Sequence, residues 1–298
     1  MNKFILKIDL YSVSENKINT FEIGSNLDNR VMVESEFNYH FNSIRIVCIV
    51  FTEPKNDEKK TTAITLTWGR RCNRLLFFRK CGRDSEDNNK CTYMSVALKQ
   101  VYQSDSEAGD WFLVANDNSF FIMENLRHFL LEQNSLNPLQ FGFKLKPYVK
   151  QGYMNSVAGF VLSNEALRRL ASKSETKACK KHSTLSEDIA IGICLQSLKV
   201  EIVDSRDENG RERFLPFTPR HHLTNAKLET FWFWKYAFYP QQKVSLRLPI
   251  NEQILNVHFS FNEGFKCCSD TAISFNKLTD KQIYAMNYLL YNIKISSH

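Results

Sequence analysis

Four groups of residues in this chain have the types and spacing to do chemistry. Asp188 is the second residue of the run Glu187-Asp188-Ile189-Ala190-Ile191-Gly192. A carboxylate placed there can take a proton from an attacking hydroxyl, and it can equally serve as a helix N-terminal acid complementing the macrodipole. Asn116-Asp117-Asn118 follows the apolar stretch Trp111-Phe112-Leu113-Val114-Ala115. Hard oxygen ligands at such a strand end can hold a divalent cation against a phosphate, although only Asp117 of the three carries charge, and a polar turn capping the next helix is the plainer alternative. His221-His222 sit in Phe217-Thr218-Pro219-Arg220-His221-His222-Leu223, where they are either metal ligands or ordinary surface imidazoles. Thr230-Phe231-Trp232-Phe233-Trp234-Lys235-Tyr236 supplies aromatic faces that could stack on a sugar or pack in a core.

These residues need a scaffold, and the apolar pattern supplies one. Ile44-Arg45-Ile46-Val47-Cys48-Ile49-Val50-Phe51 has the length and content of a buried strand, ending in Thr52-Glu53-Pro54. A helix over 61–71 and a strand at Leu75-Leu76-Phe77-Phe78 complete a strand-helix-strand unit. Residues 111–115 form a third buried strand, so Asn116-Asp117-Asn118 falls at a carboxyl end, where open α/β sheets bind ligands. Ile122, Leu126, Phe129 and Leu130 recur at helical spacing and predict a helix over 120–133. Further helices are expected over 164–172, with Ser163 as N-cap, and over 187–198. The alternation in 230–236 reads as a half-buried strand that sends Trp232, Trp234 and Tyr236 to one face. The class is α/β with a mixed central sheet flanked by helices.

The chain has 298 residues, 43% of them hydrophobic, enough for one large core, and its polar first 40 residues read as a stem or tail ahead of a single domain over 41–298. The net charge of +7 is mild. Arg70, Arg71, Arg74, Arg79, Lys80 and Arg83 crowd one stretch without any recognised nucleic-acid motif, so a solvated basic face or a phosphate-facing role is expected and a nucleic-acid partner is not. Eight cysteines allow up to four disulfides. Cys267 and Cys268 are adjacent and can hardly share one tetrahedral metal, so each is expected to bridge to a separate partner. Near the N-terminus Lys3, Lys7 and Asp9 interrupt any apolar run well short of the roughly 20 residues a membrane span needs.

Several motifs together resemble the core 1 β1,3-galactosyltransferases of glycosyltransferase family 31. They are Lys146-Pro147-Tyr148-Val149-Lys150-Gln151-Gly152-Tyr153-Met154, Ala158-Gly159-Phe160-Val161-Leu162-Ser163, the run at Glu187-Asp188, Asp110-Trp111-Phe112-Leu113 leading to Asp117, and Glu124-Asn125-Leu126-Arg127. Phe217 to Leu223, Asp204-Ser205-Arg206-Asp207, the aromatic run and Cys267-Cys268-Ser269-Asp270 through Phe275 extend the likeness over roughly residues 44–293.

The resemblance implies a GT-A-like nucleotide-sugar-binding fold and inverting transfer of galactose from UDP-galactose to the 3-hydroxyl of N-acetylgalactosamine on Ser or Thr of a glycoprotein. It implies Asp188 as the base, Asn116, Asp117 and Asn118 beside the nucleotide, and Asp117, Asn118 and His222 around Mn²⁺. Tyr153, Trp232, Trp234 and Tyr236 become the acceptor platform. Disulfides Cys48–Cys72 and Cys179–Cys194, a Golgi or secretory-pathway lumen, an N-terminal anchor not visible in this chain, and a homo- or hetero-dimer with a related transferase are implied as well. Two departures stand out. Asn116-Asp117-Asn118 replaces the family's Asp-Asp-Asp, with Asn118 at the position of its main metal carboxylate, and Ser156-Val157 replaces a Gly-Gly pair. They open a second reading, a catalytically inactive paralogue that binds or helps fold an active transferase.

Overall fold

The computed structural model describes residues 41–53, 57–80, 93–173, 176–179, 185–223, 231–239, 243–250, 253–260 and 267–293. The proposed stem over 1–40 lies outside them. The core is a six-stranded mixed sheet in the order β2-β1-β3-β8-β5-β9, built from β1 (Ile46–Thr52), β2 (Arg74–Arg79), β3 (Trp111–Asn116), β5 (Leu139–Gly142), β8 (Phe160–Ser163) and β9 (Glu201–Ile202). β1 runs parallel to both β2 and β3, whereas β8 is antiparallel to β3 and β5.

All seven residues of β1 are buried, because the sheet is covered on both faces. Alternate residues feed opposite layers. Ile46, Cys48 and Val50 join Trp111, Leu113 and Ala115 in one apolar layer with Ala63, Ile64, Trp68 and Leu126. Val47, Ile49 and Phe51 join Phe112 and Val114 in the other, against Leu98, Leu167 and Leu195.

Helices lie where the pattern predicts, with differences that have physical causes. The first spans Asp57–Leu66 and gives way to a 3₁₀ turn at Trp68–Arg71. There Thr67 Oγ1 donates to Ala63 O at 2.6 Å and Trp68 Nε1 donates to Ser119 O at 2.9 Å, drawing the indole inward. The helix expected over 120–133 is confined to Met123–Leu130. Phe120–Phe121 instead forms β4, which pairs with β12 (Ser274–Phe275), because a ladder partner from the distant C-terminal segment outweighs local helical spacing. Helix Asn164–Ser172 is capped as expected, Ser163 Oγ accepting from Ala166 N, and helix Glu187–Ser197 follows Ser186.

The expected strand at 230–236 is not one. Phe231–Trp234 is a helical turn, so the argument that Trp232, Trp234 and Tyr236 share a strand face fails. Phe233 and Trp234 pack instead on Phe217, at 5.1 and 5.9 Å between ring centroids, and on Phe143, at 5.5 and 5.9 Å. Filling that aromatic layer favours a compact turn over an extended chain. Beyond it, β10 (Lys243–Ile250) and β11 (Gln253–Ser260) form an antiparallel hairpin.

Disulfides Cys48–Cys72 and Cys179–Cys194 are present. Cys267 and Cys268 bond to each other rather than to separate partners, in a segment whose backbone is tied to Glu212 by the Ser269 amide at 3.0 Å. Much of the basic stretch is paired. Arg71 meets Glu124 at 3.0 Å, Arg74 pairs with Asp105, and Lys80 lies 3.8 Å from Glu187. Among the described residues no helix is long and apolar enough to cross a membrane.

Candidate functional site

The chain leaves β1 for β2 on one side and later adds β3 on the other, so the order reverses at the β1/β3 junction, and the crevice at the carboxyl ends of these strands is the natural ligand site. Asn116 ends β3 there and pairs across to Phe51. The Asp117 amide donates to Phe51 O at 3.0 Å, while its Oδ2 accepts from Glu53 N at 3.1 Å. Lys60, in the first turn of helix Asp57–Leu66, donates to Asp117 Oδ1 at 3.0 Å. The Asp117 side chain is 3% exposed and that of Lys60 17%, so this ion pair is held largely out of solvent.

Asn116 connects the strand end to the candidate base. Its Nδ2 donates to Ser156 O at 3.1 Å, and Ser156 N donates to Asp188 Oδ2 at 3.1 Å. One residue of separation thus brings Asn116 and Asp188 to the same crevice. Asp188 keeps a partly exposed edge, but its carboxyl is densely enclosed in a pocket that also involves Gln140, Met154, Phe160, Ile191, Gly192 and Leu195. That enclosure raises its pKa above the ordinary aspartate range, opposed by hydrogen bonds from Ser156 and by the nearby Lys80 charge. Gly192 is required for the close approach, since a Cβ there would stand 2.5 Å from Tyr153 Cβ.

Tyr153 belongs to β7 (Tyr153–Met154), which pairs with β6 (Lys144–Leu145). The other side of β6 is tied to the segment after the aromatic turn, Lys146 N donating to Tyr236 O at 2.7 Å and Phe238 N to Lys144 O at 2.9 Å. This small assembly brings Tyr153 into electrostatic range of Asp188 and of Tyr236. Burial first, then Asp188, Tyr148 and Tyr236, push the Tyr153 phenol up to about 12. Tyr148 was not singled out by sequence. It is 65% exposed with φ at 71°, a left-handed conformation that a bulky residue adopts at a cost of order 1–3 kcal/mol, and such positions concentrate at functional sites. Nothing in its spacing signals this; the backbone angle does.

The remaining assigned residues divide. Asn118 O accepts from Leu278 N at 2.9 Å, whereas its Oδ1 is buried without a hydrogen-bond partner among the described residues. His222 is buried, its Nε2 accepting from Phe217 N at 3.3 Å and its ring 6.5 Å from Phe275 and 5.9 Å from Trp234. The 275–278 segment links the two neighbourhoods, because Asn276 N donates to Phe217 O and Asn276 Nδ2 to Ser119 Oγ. Trp234 packs in the aromatic layer, and the side chain of Trp232 lies outside the described residues.

As a cation site this donor set is poor. Asp117 supplies one carboxylate with both oxygens engaged, Asn118 is neutral, and the Nε2 lone pair of His222 is used by Phe217. Among the described residues no group of three or more His, Cys, Asp or Glu is arranged to hold a metal. Hard divalent cations are retained by anionic oxygen ligands, so the residues as arranged do not fit Mn²⁺.

No protein-family model matches the chain. It is similar to glycoprotein-N-acetylgalactosamine 3-beta-galactosyltransferase 1 of Xenopus laevis, 35% identical over 263 residues that cover 84% of this chain and 67% of that protein. It is also similar to a beta-1,3-glucosyltransferase of Mus musculus, 25% identical over 128 residues, 42% of this chain and a quarter (25%) of that protein. The first likeness spans the strand-end crevice and the Asp188 helix alike, and by it the chain belongs to the core 1 β1,3-galactosyltransferase family, as a divergent member.

Proposed function

We propose that this chain is an inverting galactosyltransferase of GT-A-like fold that moves galactose from UDP-galactose to the 3-hydroxyl of N-acetylgalactosamine O-linked to a glycoprotein, in the lumen of the Golgi or secretory pathway. The observation that carries this reading is the bridge through Ser156, which joins Asn116 at the strand end to Asp188. Donor phosphates at the carboxyl ends of β1 and β3 would then lie beside the base.

Asp188 takes the proton of the acceptor 3-hydroxyl as that oxygen bonds to the anomeric carbon and the bond from that carbon to the UDP oxygen breaks on the opposite face. UDP leaves with the bonding electrons and configuration inverts. A carboxylate whose pKa is raised by enclosure is a stronger base once ionised, which is the property general-base catalysis near neutral pH requires. Tyr153, Tyr236 and Tyr148 surround the acceptor side and orient the sugar, so part of the rate comes from placing the hydroxyl in line.

The test is transfer of labelled galactose from UDP-galactose to a GalNAc-peptide. Asp188→Asn is expected to lower the initial rate by about 10²- to 10⁴-fold, the range for loss of a general base, with UDP affinity little changed. Bound UDP with no transfer by the unaltered chain would favour the inactive paralogue.

A further inference from the structure

The poor cation site has a counterpart, and it is Lys60. In a site built from two carboxylates and a divalent ion the formal charges cancel. Here one carboxylate position is the neutral Asn118, and the remaining carboxylate, Asp117, is met by a single ammonium 3.0 Å away. The formal charges again cancel, this time with no ion. Three features make the arrangement more than a surface ion pair. Asp117 is fixed by Glu53 N and by its own amide to Phe51, so it holds Lys60 at the strand-order reversal. The ammonium has three N–H donors, and the bond to Asp117 uses one of them. Partial burial of the ammonium lessens the competition of water for its remaining donors.

We propose that the Lys60 ammonium, held by Asp117, donates hydrogen bonds to the donor's diphosphate in the place a divalent cation would take, so that this chain binds a nucleoside diphosphate without one. The inference rests on the transferase reading. An ammonium is a compact point charge and can meet a phosphate oxygen directly, and charge-assisted bonds of this kind are the stronger class. Asp117 then acts as the positioning residue for Lys60 rather than as a metal ligand.

Calorimetric titration of UDP into the full chain, once with EDTA and once with Mn²⁺, tests this. The expected result is a Kd that agrees within about twofold between the two conditions, with Lys60→Gln weakening UDP binding in EDTA by about tenfold or more and Lys60→Arg retaining most of it. A Kd more than about tenfold weaker in EDTA than in Mn²⁺ overturns the proposal while leaving the transferase reading intact. Unchanged binding by a folded Lys60→Gln overturns it too. Should that variant fail to fold, the comparison on the unaltered chain still decides. Absence of UDP binding in both conditions removes the donor reading and this proposal together.

Discussion

Ser156 holds Asp188 by its backbone amide at 3.1 Å, and the nearby serine side chain also favours the ionised carboxylate. The resemblance expects a Gly-Gly pair at Ser156-Val157; the backbone amide could bond Asp188 with either residue at 156, so what the serine adds is its hydroxyl. Removing the hydroxyl takes away a stabiliser of the carboxylate and lets burial raise the pKa further. Ser156→Ala is therefore expected to move the acid limb of the pH–rate profile to higher pH, with the backbone bond and the plateau rate retained; an unmoved limb would mean that the hydroxyl does not act on Asp188. At Asn118 the buried Oδ1, without a hydrogen-bond partner among the described residues, marks where a carboxylate would restore a second anionic ligand. Asn118→Asp should weaken UDP binding in EDTA, through repulsion of the diphosphate, and make binding respond to Mn²⁺ by about tenfold or more, read by the same calorimetry. None of these contacts was legible in the sequence, because Lys60 and Asp117, or Ser156 and Asp188, meet only when the sheet is assembled.

At the scale of elements, β1, β2, β3 and the helices Asn164–Ser172 and Glu187–Ser197 were legible, the strands and the second helix as continuous apolar runs and the first helix as an amphipathic face with a capping serine. The aromatic turn Phe231–Trp234 was not. A short run in which nearly every residue is apolar has no usable period, and its conformation is decided by the layer of Phe143 and Phe217 that it fills. The β6–β7 pair with its link to Tyr236 likewise depends on long-range backbone bonds. Tyr148 precedes that pair's second strand in a strained, exposed conformation. Tyr148→Gly should relieve the left-handed backbone, leave thermal stability unchanged or raised, and increase the KM for a GalNAc-peptide by about fivefold, equivalent to roughly 1 kcal/mol. A change in stability alone, with KM constant, would make the residue merely structural.

For the whole molecule, the α/β class and mixed sheet followed from the alternation of buried strands and helices, whereas the bond between Cys267 and Cys268 did not, because adjacency in sequence argues equally for two separate bridges. The segment beside that bond carries a stability consequence. Burial lifts Glu212 from its ordinary 4.5 to about 8, with Asp204 and Asp207 adding and Arg206 opposing. The folded pKa lies above the unfolded one, so the contribution is fully present below pH 4.5 and is lost as pH rises through about 8. Glu212→Gln should flatten the dependence of Tm on pH across that window and raise Tm at its upper end by about 3 °C or more, the shift that roughly 1 kcal/mol produces in a large domain; an unaltered slope would refute the assignment. The most direct test of the account as a whole is the product itself: NMR of the glycopeptide formed from UDP-galactose and a GalNAc-peptide. The expected product is β-linked galactose on the 3-oxygen of GalNAc with the unaltered chain and essentially none with Asp188→Asn. An α-linked product, or equal product from both chains, would contradict it.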